Sequence, residues 1–266
     1  MPLAMLAACG LSAVASGPSP GDAAGDAAGD AAMTSDGPSG DTNVAVDPDG
    51  GSPTFCDSLA SDSKVVLCVD FDRTTTRTTP FGFDRLDIAA GTVATVALAP
   101  SPLGIASGNG LSFFLPTATP SSRTARVIRR LSAVSTAAPV RFITDLDLSL
   151  GEVAPRPAIV NIDVLGVGCA VRPGVRATPN GLEAMERIII RPFPLPANPV
   201  HLHLDVTVHS GNLGRQTITV GSSTLVDEDV FYGLGCDTID VVLGAYFTGG
   251  SGGAAVTFDN VVVRTP

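Results

Sequence analysis

The 266-residue chain has no tryptophan, two tyrosines, one lysine and four glutamates. Glu and Lys are good formers of exposed helices, so their scarcity argues against a mainly helical protein. Val, Thr, Ile, Gly and Pro are plentiful instead, and this composition predicts an all-β protein. Sugar-binding sites often place aromatic rings beside polar groups, so the lack of tryptophan also weakens any prediction of a lectin.

Two further absences concern charge and long apolar segments. No apolar run reaches the ~18 residues that a membrane-spanning helix needs. The only local group of basic residues, Arg123, Arg126, Arg129 and Arg130, lies in a segment that we interpret as a strand with a polar face, so nucleic acid is not an expected partner. Residues 1–54 carry seven Asp and no other charged side chain, and thus most of the formal net charge of −10.

Familiar catalytic motifs are also missing. The ExDxxE pattern of jelly-roll glycosidases, which brings two carboxylates together, does not occur. The GxSxG elbow, the P-loop and the dinucleotide-binding glycine pattern are absent as well. The sequence therefore favours a protein that is not an enzyme.

Composition divides the chain into three zones. Residues 1–9 are apolar, and residues 10–54 are rich in Gly, Ala, Asp, Ser and Pro, with the repeat GDAAGDAAGDAA at 21–32. Such a segment buries too little apolar surface to offset its ordering entropy, so we expect a disordered tether. Residues 55–266 are expected to form one domain that is stable as a monomer.

Within residues 55–266, short alternating apolar segments are separated by Gly, Pro, Asn and Ser. This pattern predicts about ten or more strands in an antiparallel two-sheet sandwich. One helical turn is expected at 181–187. The predicted strands are 65–71, 86–99, 110–116, 124–132, 140–150, 157–168, 186–192, 200–210, 215–221, 237–247 and 254–264.

The LAAC segment ending at Cys9 resembles a bacterial lipobox, whose cysteine receives a lipid. Only eight residues precede Cys9 and none is basic, whereas an export signal has a basic region before its apolar stretch, so we expect the true start to lie upstream. Gly10 follows the cysteine, which in this lipoprotein class implies the outer membrane of a Gram-negative bacterium, facing the periplasm or the cell surface. An ordinary apolar N-terminus is the alternative.

The chain has five cysteines, and setting Cys9 aside leaves four that allow three disulfide pairings. We favour Cys56 with Cys68 and Cys169 with Cys236. Zinc binding is the alternative, but no Cys or Cys/His cluster has zinc-site spacing.

The segment HLHLDVTVH is the most suggestive polar pattern. Alternate residues of a strand share a face, so His201, His203 and Asp205 are expected to project together. Two imidazoles and a carboxylate suit a zinc or iron ion or a ligand. The same pattern also fits the solvated face of a half-buried strand.

Four segments carry a family resemblance: CVDFD at 68–72, DLDLSL at 145–150, the strand at 200–210 and FDNVVV at 258–263. Together they resemble the LamG-like, concanavalin A-like jelly roll of bacterial surface lipoproteins. The resemblance implies that the first and last strands pair, and that a structural calcium ion can bind between them. Its candidate ligands are Asp70, Asp72 and Asp259, since carboxylates beside backbone carbonyls suit Ca²⁺.

These observations predict a lipid-anchored extracytoplasmic binding module without catalysis. Its partners would be the membrane, through the lipid on Cys9, and a polysaccharide or a surface protein as ligand. The first alternative is a polysaccharide-active hydrolase or lyase with an unfamiliar site, for which His201, His203 and Asp205 are candidates. The second is a structural protein of the envelope.

Overall fold

A computed structural model describes residues 55–72, 80–89, 94–101, 108–117, 123–131, 136–153, 157–185, 193–194, 199–247 and 253–266. The predictions made for residues 1–54, including Cys9 and the tether, lie outside these residues, as does the strand predicted at 186–192. No helix of the described residues is long and apolar enough to span a membrane.

The described residues form a short 3₁₀ helix, Phe55–Leu59, followed by strands only. The strands are β1 (Val65–Val69), β2 (Arg85–Ile88), β3 (Thr95–Pro100), β4 (Asn109–Leu115), β5 (Arg123–Leu131), β6 (Val140–Val153), β7 (Ala158–Gly166), β8 (Cys169–Val171), β9 (Gly174–Thr178), β10 (Gly181–Ala184), β11 (Val200–Val208), β12 (Leu213–Val220), β13 (Ser223–Phe231), β14 (Cys236–Phe247) and β15 (Ala254–Arg264).

These strands make two antiparallel sheets. The larger sheet has eight strands in the order β13-β12-β11-β6-β15-β4-β3, with β1 also paired to β15. The smaller sheet has seven strands in the order β10-β9-β7-β14-β5-β2, with β8 paired to β7. The predicted all-β jelly-roll sandwich is therefore confirmed, and the first and last strands pair as the resemblance implied.

One hydrophobic core fills the space between the sheets, because alternate residues of each strand point inward. Phe113 of β4 and Phe258 of β15 are fully buried there, with their rings edge to face at 5.7 Å. On β11 the buried residues alternate with exposed or half-buried polar ones, as predicted.

Several details of the strand prediction are wrong. Residues 181–184 form strand β10, paired with β9 in a tight hairpin, where one helical turn was expected. The single strand expected at 86–99 is replaced by β2 and β3, which lie in different sheets. Strands β8, β9 and β13 were not anticipated at all.

Two disulfides link elements of the sandwich, and their pairs are those favoured from the sequence. Cys56–Cys68 joins the 3₁₀ helix to β1, with the two Cα atoms 5.7 Å apart. Cys169–Cys236 joins β8 to the start of β14, with the Cα atoms 5.3 Å apart.

Candidate functional site

The residues singled out on β11 lie on the outer face of the larger sheet, and each contacts a charged side chain of β6. His201 Nδ1 lies 3.1 Å from Asp147 Oδ1, and His203 Nδ1 lies 2.6 Å from Asp145 Oδ1. The Asp205 carboxylate accepts two hydrogen bonds from a β6 guanidinium, that of Arg141, at 2.8 and 2.6 Å.

These contacts set the protonation of the histidine–aspartate network. Hydrogen bonds to Asp145 and Asp147 raise the pKa of His201 to about 9. Burial would raise the pKa of Asp145, but the hydrogen bonds and charges of His201 and His203 outweigh it and lower that pKa to about 2. His201 is therefore an ion-pair partner of the two aspartates at neutral pH, and a metal ion would have to displace its proton. The use of this face for a ligand or metal stays a prediction.

The three carboxylates proposed for calcium are held by hydrogen bonds near the pairing of β1 with β15. Asp70 accepts from the backbone N–H of Cys56 at 3.0 Å, and Asp72 accepts from that of Asn109 at 2.7 Å. Asp259 accepts from the Ser101 hydroxyl at 2.5 Å and is buried.

Burial raises the pKa of Asp259 to about 6, and the charges of Asp72 and Asp147 contribute to this shift. A cation beside these carboxylates would relieve that repulsion, in keeping with calcium. Among the residues that the structure describes, however, no three His, Cys, Asp or Glu side chains are grouped so as to hold a metal ion. The calcium site stays a prediction.

The outer face of the smaller sheet carries a second polar group, which the sequence did not reveal. We define the smaller-sheet cluster as Arg126 of β5, Asn161 and Asp163 of β7, and Tyr246 of β14. The Tyr246 hydroxyl donates to Asn161 Oδ1 at 3.1 Å, and Asn161 Nδ2 donates to Asp163 Oδ1. The guanidinium of Arg126 lies over the Tyr246 ring, 5.4 Å from its centre.

Strand pairing brings these residues together. β14 lies between β7 and β5, and its Val242 is paired with Asn161 on one side and Ile128 on the other. The neighbours of Asn161 and Asp163 on β7, Ile162 and Val164, belong to the core between the sheets. The cluster therefore projects from the opposite face.

The smaller-sheet cluster is buried although it lies on an outer face. Asn161, Asp163 and Tyr246 are 0%, 5% and 7% exposed. Buried polar groups are costly unless they are hydrogen-bonded to one another, which is the arrangement seen here. Such networks are often found at sites of chemistry.

Burial also shifts the protonation of this cluster. It raises the pKa of Tyr246 to about 12, and the charge of Asp163 adds to the shift. Burial likewise raises the pKa of Asp163, while Arg172 and Arg126 oppose it. At neutral pH the tyrosine is therefore a neutral phenol that can give up a proton only to a strong acceptor, and Asp163 is a stronger base than an exposed aspartate.

The two outer faces differ in charge among the described residues. On the larger sheet and the loop before it, six aspartates pair with three arginines and with His201: Asp62, Asp145, Asp147, Asp205, Asp227 and Asp229 with Arg141, Arg215, Arg264 and His201. On the smaller sheet and its adjoining loops, arginines and carboxylates are close in number: Arg85, Arg126, Arg129, Arg130, Arg172 and Arg176 with Asp84, Asp87, Asp163, Asp237, Asp240 and Glu183. The smaller sheet is thus the less acidic face, and its partly exposed arginines can meet an anionic ligand.

A sequence signal for this face did exist. Asn161 and Asp163 interrupt an otherwise apolar strand at alternate positions, and β5 carries several arginines. Each pattern alone fits an ordinary solvated strand face, and only the pairing through β14 shows that they meet.

Comparison with solved structures identifies similar folds. The endo-β-1,4-glucuronan lyase of the fungus Trichoderma reesei is 16% identical, with a TM-score of 0.51 over 76% of this chain and 96% of that one. The alginate lyase vAL-1 from Chlorella virus is 9% identical, with a TM-score of 0.48 over 76% of this chain and 100% of that one. The cellulose-induced protein Cip1 is 11% identical, with a TM-score of 0.47 over 74% of this chain and 96% of that one.

No protein-family model matches the sequence, and no curated protein matches it either. The structural likeness establishes the fold, a jelly-roll sandwich that is also used by polysaccharide lyases.

These findings correct the leading functional prediction, a binding module without catalysis. The similar fold with the highest TM-score given above belongs to a glucuronan lyase. The chain also carries a buried, hydrogen-bonded Tyr–Asn–Asp group with shifted pKa values, a feature that is common at active sites. Both observations favour the alternative of a polysaccharide-active enzyme.

Proposed function

We propose that this protein is a polysaccharide lyase that cleaves uronate-containing chains at the smaller-sheet cluster. The observation that carries the proposal is the hydrogen-bonded chain of Tyr246, Asn161 and Asp163, with Arg126 over the tyrosine ring. The fold shared with a glucuronan lyase supports it, and so do the partly exposed guanidiniums of Arg126 and Arg172.

The chemistry of a lyase explains why these residue types suit it. β-Elimination removes the C5 proton of a uronate ring, forms a C4=C5 double bond and breaks the bond from C4 to the glycosidic oxygen. The leaving oxygen takes up a proton, and no water is consumed. The reaction needs positive charge at the substrate carboxylate, a base for the C5 proton and an acid for the leaving oxygen.

The smaller-sheet cluster and an adjacent arginine can fill these roles. Tyr246, protonated at neutral pH, donates the proton to the leaving oxygen. Asp163, whose pKa is raised by burial, accepts the C5 proton, and Asn161 holds the two groups in register. Arg126 of the cluster and Arg172, which lies 3.3 Å from Asp163, are partly exposed and neutralise the substrate carboxylate.

Substitution of Tyr246 tests this proposal. Tyr246→Phe removes the acid while keeping the ring, and it should lower the cleavage rate on glucuronan or alginate by about 100-fold or more. The assay follows the ultraviolet absorbance of the unsaturated product, with melting temperatures to confirm folding. Tyr232→Phe, at the buried tyrosine between β13 and β14, is the matched control and should retain activity.

Three outcomes would overturn the lyase assignment. The first is no unsaturated product from any uronate polymer, and the second is full activity of Tyr246→Phe. The third is the release of reducing ends without ultraviolet absorbance, which would identify a hydrolase.

The membrane anchor is carried forward as a separate proposal. Cys56, Cys68, Cys169 and Cys236 are used in disulfides, which leaves Cys9 as the fifth cysteine of the chain. A lipid on Cys9 would hold the enzyme at the outer membrane, where polymeric substrates are met. Mass measurement of the mature N-terminal peptide from the native host checks it, and an unmodified Cys9 would contradict it.

A further inference from the structure

A pocket of about 280 Å³ opens on the outer face of the smaller sheet, beside the smaller-sheet cluster. Asp84, Arg85, Ile128, Arg130 and Asp240 line it. Its volume is near the low end of the roughly 300–1,000 Å³ range of ligand pockets, which suits a single sugar unit of a longer chain.

The pocket and the cluster share one continuous surface. Ile128, which lines the pocket, packs in one apolar group with Val242 and Tyr246 of β14. Val242 and Tyr246 are four residues apart on that strand, which corresponds to about 13 Å along the sheet. A polysaccharide lying across this face would reach the pocket with a ring other than the one that is cleaved.

The acidic groups of the pocket already have partners. Asp240 accepts from Arg130 Nε at 2.8 Å and from Nη2 at 3.1 Å. Asp84 accepts from Arg129 Nη1 and from the backbone N–H of Arg130, both at 2.7 Å. The charges of both carboxylates are thus partly neutralised, which weakens their repulsion of an incoming anion.

Arg85 is differently placed. Its described ion pair is a loose approach of 3.9 Å to Asp87. The same Asp87 oxygen accepts two closer hydrogen bonds from Arg126, at 3.0 and 3.3 Å. The Arg85 side chain is 55% exposed, so its guanidinium can reach an anionic ligand from solvent.

We propose that this pocket is a substrate subsite in which Arg85, flanked by Arg130, binds the carboxylate of a second uronate unit. The inference rests on the proposed function and extends it to specificity. A guanidinium matches a carboxylate with two parallel hydrogen bonds, whereas a neutral sugar offers no such partner. The subsite therefore selects chains with consecutive uronate residues over chains in which neutral sugars alternate with uronates.

The test measures binding without turnover, in the Tyr246→Phe background. Calorimetry measures the binding of a β-1,4-glucuronate hexasaccharide and of a mannuronate hexasaccharide. For whichever of the two binds more tightly, Arg85→Gln should lower the affinity by about tenfold or more. Arg85→Lys should restore part of the loss. Arg215→Gln, on the larger sheet with an equally exposed side chain, is the matched control and should leave affinity unchanged. A neutral cello-hexaose should bind much more weakly than the uronate probes.

The outcomes separate the subsite from the lyase assignment. Equal binding by Arg85→Gln and Arg215→Gln in an enzyme that does cleave uronate chains would overturn the subsite alone. Arg85-dependent binding in a protein that cleaves none would support the subsite and overturn the lyase. Absence of binding by every uronate probe, together with no cleavage, would overturn both.

Discussion

At the scale of the residue, three aspartates show how surroundings set the chemistry of one side chain. Asp145 has its pKa lowered to about 2, because hydrogen bonds from two histidines outweigh its burial. Asp163 and Asp259 have raised pKa values, because burial dominates at both. The lowered pKa suits Asp145 to an ion pair, and the raised pKa suits Asp163 to the role of a base.

His201 carries a prediction about pH. Its folded pKa of about 9 exceeds the ordinary 6.5, so its ion pairs stabilise the fold fully below about pH 6.5. That contribution is lost as the pH rises through 9. Urea unfolding should show that the wild type loses unfolding free energy between pH 6 and pH 9.5. The loss over the same pH interval should be smaller for His201→Ala. His209→Ala is the control, and an unchanged difference in His201→Ala would refute the expectation.

At the scale of the element, β14 positions the proposed acid. Gly244 lies opposite Arg126, and its φ of +146° accompanies an irregular register between Leu243 and Tyr246. A Cβ at Gly244 would lie 2.3 Å from the carbonyl oxygen of Ala125. The close approach of β5 and β14, and with it the placing of Tyr246 under Arg126, depends on this glycine.

Gly244→Ala should therefore destabilise the domain by about 2 kcal/mol and reduce cleavage more than its effect on folding explains. Gly168→Ala is the control, since its φ is +82° but a Cβ there would meet nothing within 4 Å. Gly168→Ala should lose only the unfolding free energy that a positive φ costs an alanine, and it should keep its cleavage activity. Urea unfolding and the ultraviolet assay measure both effects, and equal costs for the two variants would argue against a special role for Gly244.

The elements themselves were unevenly predictable. Strand β11 followed from alternation in VHLHLDVTV, because the two-residue period is local. Strand β13 was missed because Asp227, Glu228 and Asp229 interrupt its alternation. Strand β10 was mistaken for a helical turn because its four residues acquire strand geometry only by pairing with β9.

At the scale of the whole molecule, two sheets of different charge are held by two disulfides of very different span. The outer face of the larger sheet is more acidic than that of the smaller sheet. Cys56–Cys68 spans 12 positions of the sequence, whereas Cys169–Cys236 spans 67 and holds β8 to β14 in the sheet that carries the proposed site.

The disulfides should differ in their effect on stability. A longer closed loop removes more entropy from the unfolded chain, so replacing Cys169 and Cys236 by Ala should cost about 4 kcal/mol. The same replacement of Cys56 and Cys68 should cost about 3 kcal/mol. Chemical denaturation of the two double variants measures both values, and a larger loss for the Cys56–Cys68 pair would count against the expectation.

The sequence by itself determined the class of fold, the outward position of His201, His203 and Asp205, and the favoured cysteine pairs. These depend on composition, on strand periodicity and on a small number of possible pairings. The candidate site was decided by tertiary structure alone, because Arg126, Asn161 and Tyr246 lie far apart in the chain. Pairing of β14 with both β5 and β7 brings them together, and their burial then sets the pKa values on which the proposed chemistry depends.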